Sequence, residues 1–261
     1  MKNIATIFVL VSQFLFSQNL VATKLSQNAA DFDQFVGTDE YGVPYFIKNN
    51  VLIKKTNDQI FEYKNLTLGK IYRVDLQNPL KILLFYKDFN VVTTVDNQLN
   101  ETNIIDFNLQ QTPILATATG MAAQNRFWLA NAITQKIALF DSLNNKYTEI
   151  TPAILSDTIQ YYETDFNFFK FIDNKNQLIC CDVFGKISSL PVDQEFDYIS
   201  IINSNSIIYA KDNRLYCKNL QTSTTQEIDV AEKSIQNFCY KNQILTIFTN
   251  QNLVRYQLKL Q

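Results

Sequence analysis

The feature that most constrains this chain is a β-hairpin motif that recurs along it. An apolar strand ends in a short turn of Asn, Asp, Lys or Gln, and a second strand starts at once with an apolar pair. Tyr45–Asn50 leads to Val51–Ile53, Leu83–Asn90 to Val91-Val92, and Phe127–Asn131 to Ile137–Leu139. Phe169–Asn176 leads to Leu178-Ile179, Ile207–Asn213 to Leu215-Tyr216, and Leu245–Asn250 to Leu253-Val254. Asn and Asp suit these turns because they tolerate left-handed backbone and bond their own main chain. They must serve, because the chain has only 5 glycines.

The markers Leu52, Val92, Ile137, Leu178, Leu215 and Leu253 lie 40, 45, 41, 37 and 38 residues apart. A period near 40 built from short strands is the spacing of four-stranded propeller blades. Each hairpin also has a strand before it, near Phe35-Val36, Ile71–Asp75, Ile114–Thr119, Ile159–Glu163, Tyr198–Ile202 and Ile235–Tyr240. A strand follows it near Ile60–Tyr63, Thr102–Phe107, Tyr147–Ile150, Lys186–Leu190 and Thr225–Val230. Five units therefore have four strands, and the sixth runs out after Tyr256-Gln257-Leu258 with three. Asn19–Lys24 has strand character and supplies the missing one. The expected fold is an all-β propeller of about six four-stranded blades, closed by N- and C-terminal strands in one blade. Seven blades or a two-sheet sandwich are the alternatives. Closure removes the open sheet edges that invite aggregation.

Composition agrees. Aromatic residues make up 13%, with 20 Phe and 13 Tyr, which favours strands. The pattern resembles the broad WD40-like and quinoprotein-like propeller superfamily over essentially all of residues 18–261. It departs from that superfamily's sequence marks: no Trp-Asp dipeptide ends the blades, no kelch glycine pair is present, and there is 1 Trp in all. The chain is also similar to exported Bacteroidota proteins, a likeness that transfers no active residues. Fold does not decide function in such a superfamily.

The sequence excludes several chemistries. It has no histidine, which removes Ser-His-Asp and Cys-His catalysis and every histidine metal site. The formal net charge is −2 and no basic stripe is interleaved with aromatics, so nucleic acid is not an expected partner. Cys180, Cys181, Cys217 and Cys239 form no CxxC; two disulfides or four buried thiols are both open, and buried thiols are the expectation. No cofactor is expected.

Residues 1–17 read as a signal peptide: Lys2 is the basic n-region and Ile4–Phe16 a short apolar h-region, with cleavage expected after Ser17. That stretch is too short to span a bilayer, and no later segment is long and apolar enough. Residues 18–261 are then one exported domain, in the periplasm or associated with the outer membrane. Asp141-Ser142-Leu143 and Asp157-Thr158-Ile159 resemble an O-glycosylation acceptor motif of exported Bacteroidota proteins.

The densest aromatic run extends from Tyr161-Tyr162 through Phe166, Phe168, Phe169 and Phe171. Phe169 and Phe171 share a strand face and read as blade packing. Tyr161, Tyr162, Glu163 and Asp165 are the candidate binding residues. Their carboxylates, with Asp157, suit a glycosidase in type, one acid and one base or nucleophile. Asp39–Gly42 and Asp173–Asn176 offer oxygen ligands, yet neither has calcium-loop spacing. The leading expectation is a non-enzymatic module that binds another cell-envelope protein. The alternative is a carbohydrate-active or carbohydrate-binding propeller, with weak carbohydrate contact near Asp165.

Overall fold

The structure, a computed structural model, describes residues 19–155 and 158–260. The expected signal peptide at 1–17 lies outside the described residues. Two strands come first, β1 (Leu20–Val21) and β2 (Thr23–Ala29). The first blade is β3 (Gln34–Thr38), β4 (Pro44–Lys48), β5 (Val51–Lys55) and β6 (Ile60–Tyr63). The second is β7 (Arg73–Asp75), β8 (Ile82–Tyr86), β9 (Val91–Val95) and β10 (Glu101–Asp106). The third is β11 (Ala116–Met121), β12 (Arg126–Asn131), β13 (Lys136–Asp141) and β14 (Lys146–Glu149). The fourth is β15 (Ile159–Thr164), β16 (Phe168–Asp173), β17 (Gln177–Asp182) and β18 (Ile187–Pro191). The fifth is β19 (Tyr198–Ile201), β20 (Ser206–Lys211), β21 (Arg214–Asn219) and β22 (Thr224–Asp229). The sixth is β23 (Asn237–Lys241), β24 (Ile244–Phe248) and β25 (Asn252–Gln257), completed by β2.

Each blade is an antiparallel meander whose first strand faces the ring's axis. Neighbouring first strands touch: β23 with β3, β11 with β15, β15 with β19, β19 with β23. The core lies between blades. Ile82, Leu84 and Tyr86 of β8 pack towards the first blade, while Leu83 and Phe85 pack towards the third. Both faces of a central strand are therefore covered, which is why Ile82–Tyr86 reads as an unbroken apolar run instead of an alternating one. The same division gives one apolar cluster at every blade junction, including the sixth with the first.

The turns follow the expected chemistry. Asn49-Asn50, Asp212-Asn213 and Asn242-Gln243 all have positive φ at both central positions. That is the requirement of a two-residue type I′ hairpin, whose twist matches the strands it joins. Asp96, Asp141, Asp165, Asp173 and Asp182 each accept backbone N–H groups two to four residues on, fixing their own turns.

The ring closes as expected in kind, with a different register. Only Thr23 and Lys24 of the expected Asn19–Lys24 strand pair with β25, and the pairing runs on to Ala29. Leu20 and Val21 instead pair in parallel with Ile228 and Asp229 on the outer edge of the fifth blade. Burial accounts for the split. Leu20 enters the cluster between the fifth and sixth blades, and Ala30 enters the one between the sixth and first. Between these anchors no side chain of β2 is buried, so backbone pairing holds it.

Removing the closing strand should therefore cost its hydrogen-bond ladder and expose an edge on β25. A chain beginning at Asp31, compared with one beginning at Asn19, is expected to melt at least about 10 °C lower, taking ~1 kcal/mol per hydrogen bond and 2–4 °C per kcal/mol. Differential scanning calorimetry checks this; an unchanged midpoint would refute the closure.

Candidate functional site

The inner strand of the third blade, Ala116-Thr117-Ala118-Thr119-Gly120-Met121, carries no large side chain before Met121. Side chains of the second and fourth blades meet across it. Asp75 Oδ2 accepts from the Thr164 hydroxyl at 2.9 Å and from the Met121 N–H at 2.7 Å, while Oδ1 accepts from the Gln77 N–H at 2.7 Å. Three blades thus converge on one buried carboxylate. Gly120 makes room for it, since a Cβ there would land on Thr164 Oγ1 and Asp75 Oδ2.

Two residues before Asp75, Arg73 reaches the same neighbour. Its guanidinium lies 4.7 Å from the centre of the Tyr162 ring and 5.6 Å from that of Tyr161. Burial alone would favour its neutral form, but the phenols of Tyr161 and Tyr162 and the carboxylates of Glu163 and Asp75 outweigh burial, so it stays a cation. Arg73, Asp75, Tyr161, Glu163 and Asp165 all line a central channel of about 690 Å³. No residue of β11 reaches its wall.

The four candidate residues take distinct positions. Tyr161 lines the channel and donates to Glu163 Oε1 at 2.6 Å. Its phenol is pushed well up by burial and by Glu163, against the pull of Arg73. Tyr162 is 5% exposed and stacks on Phe169 at 5.8 Å and 4°, so it presents no face to the channel. Burial pushes its phenol up to about 12. Glu163 Oε1 also accepts the Ile201 N–H at 3.0 Å, tying the fourth blade to the fifth. Asp165 fixes its own turn, pairs with Lys170 Nζ at 2.9 Å, and offers its carbonyl to Trp128 Nε1 at 2.7 Å. Phe169 and Phe171 are core, while Phe166 and Phe168 are exposed. Asp157 lies outside the described residues.

The other oxygen-rich loops satisfy themselves. Asp39 is buried and accepts from the N–H groups of Tyr41 and Val43 and from the Tyr45 hydroxyl. Asp173 holds the Lys175 and Gln177 amides. Among the described residues, no group of three or more Cys, Asp or Glu is placed to hold a metal ion. All four cysteines are free thiols. Burial pushes Cys180 and Cys217 up to about 11 and Cys181 up to about 12, and raises Cys239 as well, which disfavours the thiolate of each near neutrality.

The residue types singled out in the sequence did not include a second feature, an apolar face. Leu66 (81% exposed), Tyr72, Phe89 (48%), Leu109 (80%), Leu115 and Ile133 occupy the turns at one end of the first three blades. Hydrogen bonds tie these turns together: Asn50 to Gly69 and Ile71, Asn108 to Phe89, Asn90 to Ile114, and Ala132 to Leu115. A hydrophobicity pattern conceals the face because its members are scattered over 68 residues of sequence, in loops.

No protein-family model matches the chain, and no curated protein matches it. Solved structures do. Virginiamycin B lyase from Staphylococcus aureus aligns with a TM-score of 0.56 at 11% identity, over 85% of this chain and 79% of that one. A catalytically inactive histidine-to-alanine variant of the S. aureus lyase, with quinupristin, gives 0.54 at 11% identity over 90% and 99%. The extracellular domain of a one-component system from B. thetaiotaomicron gives 0.50 at 14% identity, over 92% of this chain and 40% of that one. The likeness is one of fold. The blade count of six comes from this chain's own sheets. Among the described residues, no helix is long and apolar enough to cross a membrane.

Two outcomes follow from this geometry. Gly120→Ala should overpack the three-blade junction and break the bonds to Asp75, costing about 3 kcal/mol, a fall of about 6–12 °C in the thermal midpoint; an unchanged midpoint would remove the junction from the account. The second concerns alkaline pH. Thiols and phenols whose pKa is raised in the fold hold protons that the unfolded chain releases from about pH 9 and pH 10. Stability is therefore full below pH 9 and should fall as pH rises towards about 12, the value of Cys181 and Tyr162. Urea unfolding at successive pH values reads this directly, and a flat profile from pH 8 to pH 11 would contradict it.

Proposed function

We propose that this chain is a non-enzymatic, exported interaction module that binds another protein of the cell envelope through the apolar face of its first three blades. The observation that carries the reading is the six large apolar side chains exposed together at one end of the ring. Monomeric proteins rarely leave such a face open unless something covers it. Leu66 and Leu109 are about four-fifths exposed, and neither contributes to any blade core.

Two further points support the reading. The S. aureus lyase is catalytically inactive as its histidine-to-alanine variant, and this chain has no histidine to fill such a role. The carboxylates that would serve a glycosidase are occupied: Glu163 by Tyr161 and Ile201, Asp165 by Lys170 and its own turn. Export rests on the apolar leader of residues 4–16, which follows a basic residue.

The double substitution Phe89→Asp with Leu109→Asp places charge on the face and leaves every core residue in place. Chemical cross-linking in intact cells, followed by purification of the tagged chain, should give a defined complex with the native sequence and lose it with the double variant. The thermal midpoint should move by no more than about 0.5 kcal/mol equivalent. The same cross-linked complex from both chains would defeat the proposal.

A further inference from the structure

The central channel holds a cation that has no anion of its own. Among the described residues, no carboxylate oxygen lies within 4.0 Å of the Arg73 guanidinium, although two are close enough to influence it. Both are taken. Glu163 Oε1 is held by the Tyr161 hydroxyl and the Ile201 amide, and Asp75 by Thr164, Met121 and Gln77. Arg73 is meanwhile fixed from behind by the buried Tyr162 ring. One of its donors serves the Tyr161 hydroxyl, and the remaining N–H groups of the five-donor guanidinium have no carboxylate partner, which suits it to a carboxylate.

We propose that the channel beside Arg73 is a binding site for a small monocarboxylate. Its volume of about 690 Å³ falls within the usual range for small-molecule sites. Its wall mixes aromatic and amide groups, with Tyr72, Phe196 and Tyr198 beside Gln34, Gln160 and Asn237. These suit a ligand with a flat or apolar body and an uncharged polar edge. The charge count sets the ligand's charge. Lys170 and Asp165 neutralise each other, Lys241 and Asp197 lie elsewhere on the wall, and Glu163 and Asp75 stand on either side of Arg73. Arg73 already faces those two carboxylates, so every negative charge on a ligand is opposed by them, and a dianion such as phosphate is opposed about twice as strongly as a monocarboxylate that bonds the guanidinium directly.

The test is a calorimetric and ligand-observed NMR titration of the purified chain with benzoate, indole-3-acetate and hexanoate. Each is compared with its own amide, and inorganic phosphate is run alongside. At least one carboxylate should bind with a dissociation constant of about 1 mM or lower, at least about tenfold tighter than its amide and than phosphate. Arg73→Met should weaken that binding about tenfold, and Gln160→Trp, which adds bulk at the channel wall, should weaken it too. The acid-versus-amide comparison uses the unaltered chain, so it decides the matter even if Arg73→Met fails to fold. The proposal is overturned if no acid of the three binds up to about 10 mM. Equal binding of acid and amide, or full binding by a folded Arg73→Met chain, overturns it as well.

Discussion

The whole ring depends on one backbone pairing, that of Thr23–Ala29 with Asn252–Gln257. Every other blade is a continuous meander, and each of the five remaining junctions has 9 to 12 buried members in its apolar cluster. The junction of the sixth blade with the first is the thinnest, with Ala30, Phe35, Phe46, Phe248 and Leu253 as its buried members. A ring held there by apolar contact alone would have a weak seam. The N-terminal strand strengthens it by main-chain bonding, and Leu20 and Ala30 pin its two ends into adjacent clusters. Closure also covers the edge of β25 and leaves the exposed, largely polar β2 as the outer edge of the sixth sheet, a polar edge that limits edge-to-edge association.

The inner wall shows a second use of strand geometry. A chain of small residues in β11 lets the second and fourth blades touch directly. Asp75 then serves as a common acceptor for three blades, and the cation of Arg73 is clamped on two tyrosines. Charges in the channel therefore act first as structure. Glu163 and Asp165 illustrate the point, since each is committed to neighbouring donors before any ligand is considered. Arg73 also joins blades, through Tyr161 and Tyr162, and differs from the carboxylates in having no oppositely charged group in direct contact.

Much of the fold was legible because its signals are local. Apolar pairs bracket turns of Asn and Asp, and these turns adopt the left-handed conformations that their residues tolerate best. The spacing of Leu52, Val92, Ile137, Leu178, Leu215 and Leu253 then counts the blades. The exact partner of Leu20 was not legible, because a two-residue parallel bridge leaves no periodic trace. The site was legible only in part. Tyr161, Glu163 and Asp165 do line the channel, but Tyr162 is buried on Phe169 and Arg73 went unmarked. Arg73 and Tyr162 are 89 residues apart, and only ring geometry brings them together. The single signal available was Gly120, a lone glycine ending a run of small residues, which marks a close approach by something from elsewhere.

The central claim is that β2, Thr23–Ala29, is an integral part of the last blade. Native-state hydrogen exchange measures it residue by residue. The account predicts that the bonded amides of β2 exchange through the same global opening as those of β24 and β25, with matching free energies. Exchange of β2 at loop rates, while β24 and β25 stay protected, would contradict it.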